Sequence, residues 1–118
     1  MLDDGRRAEA FCYLTTTGRV TGQPHRIEIW FAAAPDGETI YLLAGGRERS
    51  DWVANLQADP ACRVEIGDQV FAGRGHVVEG TAVDRAAREL VYEKYRHDDE
   101  LEAWRESALP VAIDVTPA

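Results

Sequence analysis

The chain has 118 residues, 45% of them hydrophobic, and a formal net charge of −8. That is enough apolar material for one domain with its own core, and too acidic a balance for a protein that neutralises nucleic-acid phosphates. No stretch approaches the ~20 apolar residues of a membrane span and the N-terminus lacks an apolar signal segment, so a single cytoplasmic domain over residues 1–118 is expected, with no nucleic-acid partner and no membrane span.

In chain order, FCYLTTT (residues 11–17) is rich in aromatic and β-branched side chains and reads as a strand. GRVTGQP then interrupts the pattern with two glycines and a proline. HRIEIWFAAA (25–34) resumes it as a second strand, with Ile27, Ile29 and Phe31 on one face and Arg26, Glu28 and Trp30 on the other. PDGE (35–38) is turn chemistry, and TIYLLAG closes a hairpin as the third strand. Ser50 can cap a short helix, DWVANLQAD, whose Trp52, Val53 and Leu56 share a face before Pro60 ends it. CRVEIG and VFAGRGHVVEG are the next two strands, and Gly73 and Gly75 inside the second predict a bulge or sharp curvature. DRAARELVYEKY and DELEAWRES are helical, the first with Ala87, Leu90, Val91 and Tyr95 on one stripe. LPVAIDV alternates again as the last strand. The order predicts a mainly β (α+β) fold, a six-stranded antiparallel barrel with short helices at its ends.

Cys12 and Cys62 stand among strand-forming residues in no metal-ligand spacing, so buried free thiols and no metal site are expected. No nucleophile elbow, HExxH or P-loop occurs, and His76 and His97 stand isolated. Any demanding chemistry therefore points to a bound cofactor. The feature that stands out is TTTGRVTGQPHR (15–26): no acid lies between Ala10 and Ile27, whereas Arg19, His25 and Arg26 all do. Gly18 and Gly22 permit a backbone that turns N–H groups toward one point. Arg19 and Arg26 add guanidinium forks, and Thr16, Thr17 and Thr21 add hydroxyls. Such a loop can hold an anion; it can equally be a wide hairpin with solvated arginines. A second stretch, GGRERSDWVANLQADP (45–60), brings Arg47 and Arg49 to a helix N-terminus at Ser50, which favours anions. Trp52 can anchor the core or pack against a ligand, and Asn55 can bond a ligand or the neighbouring backbone.

LTTTGRVTGQPHR, followed after a hairpin by SDWVANLQADP and then CRVEIG, resembles the deazaflavin-dependent nitroreductase and quinone reductase family, with its T-T-G-R-x-x-G-x-x-R and W-x-x-N-L-x-A-x-P motifs. The match runs from Leu14 to Asp114. The resemblance implies a split β-barrel of the FMN-binding type that binds coenzyme F420, a deazaflavin with a phosphate-bearing, polyglutamylated tail. It places Arg19 and Arg26 on the phosphate and tail carboxylates, with Gly18 and Gly22 shaping the loop and Trp52 and Asn55 flanking the ring pocket; Thr17 and Ser50 are further cofactor-binding candidates, and Arg47 or Arg49 can stand in for the charge of the family's lysine. The chain departs from the family's Ser-Lys-Gly-Gly segment, with LLAGGRERS in its place, and offers Tyr92 and Tyr95 where relatives carry more tyrosines, with Asp98 and Leu101 near them.

The function this implies is hydride transfer from reduced F420 to an electron-poor small molecule such as a quinone, enone or nitroaromatic, with Tyr92, Tyr95 or solvent giving the proton. An FMN-dependent split barrel is the alternative enzyme, and a non-catalytic module binding F420, haem or lipid the alternative of another class. A homodimer is expected, with Trp30 as a contact.

Overall fold

The structure is a computed structural model that describes residues 2–96 and 99–118, with the backbone alone for residues 99–101. His97 and Asp98 lie outside the described residues, as does the Leu101 side chain. Among the described residues, seven strands form one antiparallel sheet: β1 (Cys12–Thr17), β2 (Pro24–Ile29), β3 (Ala32–Ala33), β4 (Thr39–Ala44), β5 (Ala61–Ile66), β6 (Gln69–Val77) and β7 (Leu109–Pro117). Their order across the sheet is β2-β1-β5-β6-β7-β4-β3. The helices are α1 (Asp4–Arg7), α2 (Asp51–Ala58), α3 (Asp84–Lys94) and α4 (Asp99–Ser107), with a 3-10 turn at Arg47–Arg49 before α2.

The expected split-barrel class holds, with one strand more than the six expected. The segment 25–34, read as one strand, breaks at Trp30–Phe31. Its first half pairs with β1 at one edge of the sheet, and its second half pairs with β4 at the other. The side-chain alternation passes through the break unchanged, which is why it is invisible in the sequence. The break comes from the two halves choosing different partners. No bulge forms in β6: its ladders with β5 and β7 are continuous. Gly73 and Gly75 instead face inward, where a Cβ would stand 2.8 Å from Ile113 Cγ2 and 2.9 Å from Leu56 Cδ1 respectively. They make room for core side chains. The expected PDGE turn is present: Ala34 N–H donates to Thr39 O (2.8 Å), and Gly37 has φ 72°. The short helix α1 carries no apolar period to signal it; the Asp3 carboxylate caps it by accepting from Arg6 N–H at 2.9 Å.

Alternation builds two cores. Leu14, Phe31, Ile40, Leu42, Val64, Ile66, Phe71 and Ile113 fill the barrel interior. On the outside, α3 lays Ala87 and Val91 against Tyr41 and Leu43 of β4 and Ala112 of β7, with Leu90, Tyr92 and Tyr95 at the margin. Cys12 and Cys62 are free thiols, and burial pushes them up to about 12 and about 11, so neither is a thiolate at neutral pH. Arg88 is buried yet fully engaged. It bonds the Asp84 carboxylate at 2.7 Å and donates to the carbonyls of Arg105, Glu106 and Ala108 as α4 ends.

The break at Trp30–Phe31 is closed by the end of α3. Phe31 N–H donates to the Tyr95 hydroxyl (3.2 Å), Lys94 Nζ donates to Phe31 O (2.9 Å), and the Tyr95 hydroxyl lies 2.7 Å from Ala10 O. Trp30 stacks on Tyr95 at 4.7 Å and 9°. The ring expected to meet a second copy is thus occupied within the chain. The seam lies at the Cys12–Ile29 end of the β1–β2 ladder, while α2 packs at the other end, where β1 finishes.

Candidate functional site

At the α2 end, β1 runs into a tight turn. Gly18 N–H donates to Gln23 O (2.8 Å) and Gly22 N–H to Gly18 O (2.8 Å), while Gly22 takes φ 75°, where a side chain would be strained. This turn throws Arg19 across α2. Arg19 N–H and Nη1 both donate to Asn55 Oδ1, at 3.2 and 2.8 Å. Its Nη2 donates to Asp51 Oδ1 at 3.2 Å. Asn55, only 2% exposed, completes the set by donating from Nδ2 to Thr16 Oγ1 at 3.0 Å. The Arg19 side chain remains 39% exposed, so part of its fork faces solvent.

The other expected residues lie in different places. Arg49 is exposed, and Ser50 occupies the N-cap position of α2 without a side-chain cap bond. Both sit with Arg19 around the first turn of that helix. Trp52 is half-buried against the barrel core on the same helix. Arg47, the non-glycine residue with positive φ (52°) among the described residues, is turned away: it donates to Ser107 O (2.9 Å) and to the Glu79 carboxylate (2.6 Å). Arg26 is on the outer face of the sheet, above the Tyr13 ring (3.9 Å) and bonded to Glu65, whose carboxyl it holds below its usual range. Register explains this. Arg26 pairs with Thr15, between the inward-facing Leu14 and Thr16, so it points outward while Arg19 turns over the end. Thr17 is exposed at the strand end, and the His25 ring lies against Gly18.

Tyr92 and Tyr95 are not brought to this group. Tyr95 is at the seam, about 17 Å away along a six-residue strand at ~3.3 Å per residue, and burial pushes its hydroxyl up to about 12. Tyr92 lies under the Arg105 guanidinium (4.3 Å), and a hydrogen bond to Glu102 raises its pKa. A further aromatic, Trp104 of α4, 38% exposed, packs its ring so closely on Gly45, the residue after β4, that a Cβ there would be 2.8 Å from it. No sequence pattern marks Trp104, which sits in a helix rich in charged residues.

A groove of 440 Å³ runs along the other flank of α2, lined by Val53, Leu56 and Gln57 and, across from them, Gly75, Val77 and Val111. The donor chemistry fits an anionic ligand with a flat apolar part. Arg19, held on Asp51 and Asn55, marks one side of the helix, with Arg49 just before its N-terminus, and an apolar trough forms the other. Among the described residues no cluster of metal-binding side chains converges, and no helix is long and apolar enough to cross a membrane.

A sequence model of the F420H(2)-dependent quinone reductase family matches residues 4–116. Among solved structures, the chain is similar to an F420-H2 dependent reductase, FDR-A, at 23% identity and a TM-score of 0.70, over 89% of this chain and 93% of that one. It is similar to the conserved hypothetical protein Rv2991 from Mycobacterium tuberculosis at 23% identity and a TM-score of 0.69, covering 99% and 81%. A third, described as a domain-swapped dimer, gives 24% identity and a TM-score of 0.65, covering 96% and 81%. At these identities the structural likeness speaks for the fold.

Proposed function

The chain belongs to the F420H(2)-dependent quinone reductase family, and from that premise we propose that it reduces an electron-poor small molecule, a quinone, enone or nitroaromatic. When bound, the deazaflavin supplies the hydride. The chain's own residues bind, orient and exclude water. Arg19 and Arg49, beside the first turn of α2, would hold the phosphate and the nearest tail carboxylates. Trp52 and the apolar flank of α2 would line the ring. Arg26, on the outer sheet face, would be within reach only of the distal tail. Solvent supplies the proton that follows the hydride, since the hydroxyls of Tyr92 and Tyr95 are engaged elsewhere. The observation that carries this reading is the arginine turn itself, an acid-free loop whose guanidinium is fixed over a helix N-terminus yet still exposed.

The test is a titration of the protein with F420 and with FMN, followed by tryptophan fluorescence, together with oxidation of reduced F420 in the presence of a naphthoquinone. The expected result is submillimolar F420 affinity, with FMN at least tenfold weaker because it carries less negative charge. Affinity for F420 should fall with salt, since exposed charges are screened over about 8 Å at physiological ionic strength. Equal or tighter binding of FMN would sink the proposal. A homodimer remains the expected assembly, to be read from mass in light scattering.

A further inference from the structure

We infer that Asn55 is a positioning residue that fixes one half of the Arg19 fork, leaving only the half closed by Asp51 to exchange with an incoming anion. This rests on the reading that Arg19 receives the anionic part of F420. Both polar atoms of the Asn55 amide are used on the turn. Oδ1 accepts from Arg19 N–H (3.2 Å) and Nη1 (2.8 Å), and Nδ2 donates to Thr16 Oγ1 (3.0 Å). An amide buried to 2% exposure, with both its polar atoms bonded inside the chain, presents no surface to a ligand. Its effect on binding is therefore exerted through Arg19.

The other half of the fork is held differently. Nη2 meets Asp51 Oδ1 at 3.2 Å, and the Asp51 side chain is 86% exposed. Such a pair is readily exchanged, because exposed ion pairs contribute little and both side chains are solvated. Asp51 is thus an internal stand-in for the ligand's negative charge: it neutralises Arg19 in the free protein and is displaced when a better anion arrives. Asn55 keeps the guanidinium in place throughout, so the arginine's side-chain freedom is already lost before binding.

Three variants and Arg19→Ala test this, with F420 affinity read by tryptophan fluorescence on folded protein, the salt dependence of that affinity, and thermal unfolding. Asp51→Asn should tighten F420 binding, by up to about fivefold at low salt, the equivalent of about 1 kcal/mol for an exposed pair. Asn55→Ala should weaken it about tenfold and lower the melting temperature. Asn55→Asp keeps the side chain's shape, and the Thr16 hydroxyl can turn to donate to it, so the fold is retained. A second carboxylate on Arg19 should nevertheless weaken F420 binding and flatten its salt dependence. If both Asn55 variants bind F420 as the parent does while Arg19→Ala binds it weakly, Asn55 serves the fold alone and the inference is overturned while the reading of Arg19 stands. If Arg19→Ala binds F420 unchanged, both fall. An unchanged or weaker affinity in Asp51→Asn overturns the exchange of Asp51.

Discussion

Replacing Tyr95 with phenylalanine separates the structural role of this residue from a chemical one. The ring is kept, so the stack on Trp30 survives. What is lost is the hydroxyl, which accepts from Phe31 N–H at 3.2 Å and lies 3.0 Å from Phe31 O and 2.7 Å from Ala10 O. Phe31 O still receives Lys94 Nζ, and Ala10 is exposed enough for water to replace the donor. Phe31 itself is fully buried, so its N–H is left dry and unpaired. One such orphan costs about 1–3 kcal/mol. The expected loss is therefore about 2 kcal/mol, a fall in melting temperature of roughly 6–10 °C for a domain of this size. The assay is urea unfolding alongside F420 titration and turnover at saturating cofactor. F420 affinity and turnover should stay near parent values, because the seam is at the opposite end of the β1–β2 ladder from Arg19. A variant of parental stability that turns over slowly would refute the reasoning and return Tyr95 to the chemistry.

Lys94 predicts a pH dependence. Desolvation lowers it from 10.5 to about 8, so below pH 8 both folded and unfolded chains carry its proton and the folded state bears the penalty. Between about 8 and 10.5 the unfolded chain binds more protons, and stability rises. Each pKa unit is worth about 1.4 kcal/mol, and with the side chain only half-buried the gain is discounted to about 1–2 kcal/mol. Urea midpoints at pH 7.5 and 9.5 should show it, and Lys94→Met should abolish it. Above pH 10 the raised Tyr95 acts with the opposite sign, because its folded-state stabilisation is lost as pH climbs toward 12. Arg88→Ala should cost about 2–4 kcal/mol in denaturant unfolding, chiefly by leaving the last carbonyls of α4 uncapped, while Asp84 keeps its bond from Gly80 N–H; a loss under 1 kcal/mol would show that the buried guanidinium is dispensable.

Much of this could be read from the chain and some could not, for physical reasons. β4, β5, β6 and β7 alternate cleanly or run continuously apolar between strong turn residues, and α2 has its face and its stop at Pro60, so local chemistry settles them. The division of residues 25–34 depends on each half turning back to its own hairpin partner, Pro24–Ile29 to β1 and Ala32–Ala33 to β4, and the unbroken side-chain alternation does not mark where one partnership ends and the other begins. The arginine turn was legible as an acid-free run with paired glycines, and the family motifs supplied its ligand. That Arg19 and Arg26 part company was not, because it depends on the parity of the Thr15–Arg26 pairing, which a loop of unknown width leaves open. The place of the tyrosines was hidden similarly: the stripe Ala87–Val91–Tyr95 places α3 on the barrel but not how far along it the helix ends.

The joining of the two sheet edges by consecutive residues has a consequence for how the chain reaches this form. Although consecutive in the chain, β2 and β3 do not pair with each other; each borders a different strand, at opposite edges of the sheet. The β1–β2 hairpin and the β3–β4 hairpin must each form locally and then be brought around by the β5–β6–β7 strands between them. Every such pairing beyond the hairpins spans a long loop, which places the entropic cost of closure late. The end of α3 reaches the junction only after the barrel has curled far enough to bring Ala10 and Phe31 together. The seam ties both edges of the sheet together, so in hydrogen exchange the amides of β2 and β3 are expected to open as one unit rather than as two.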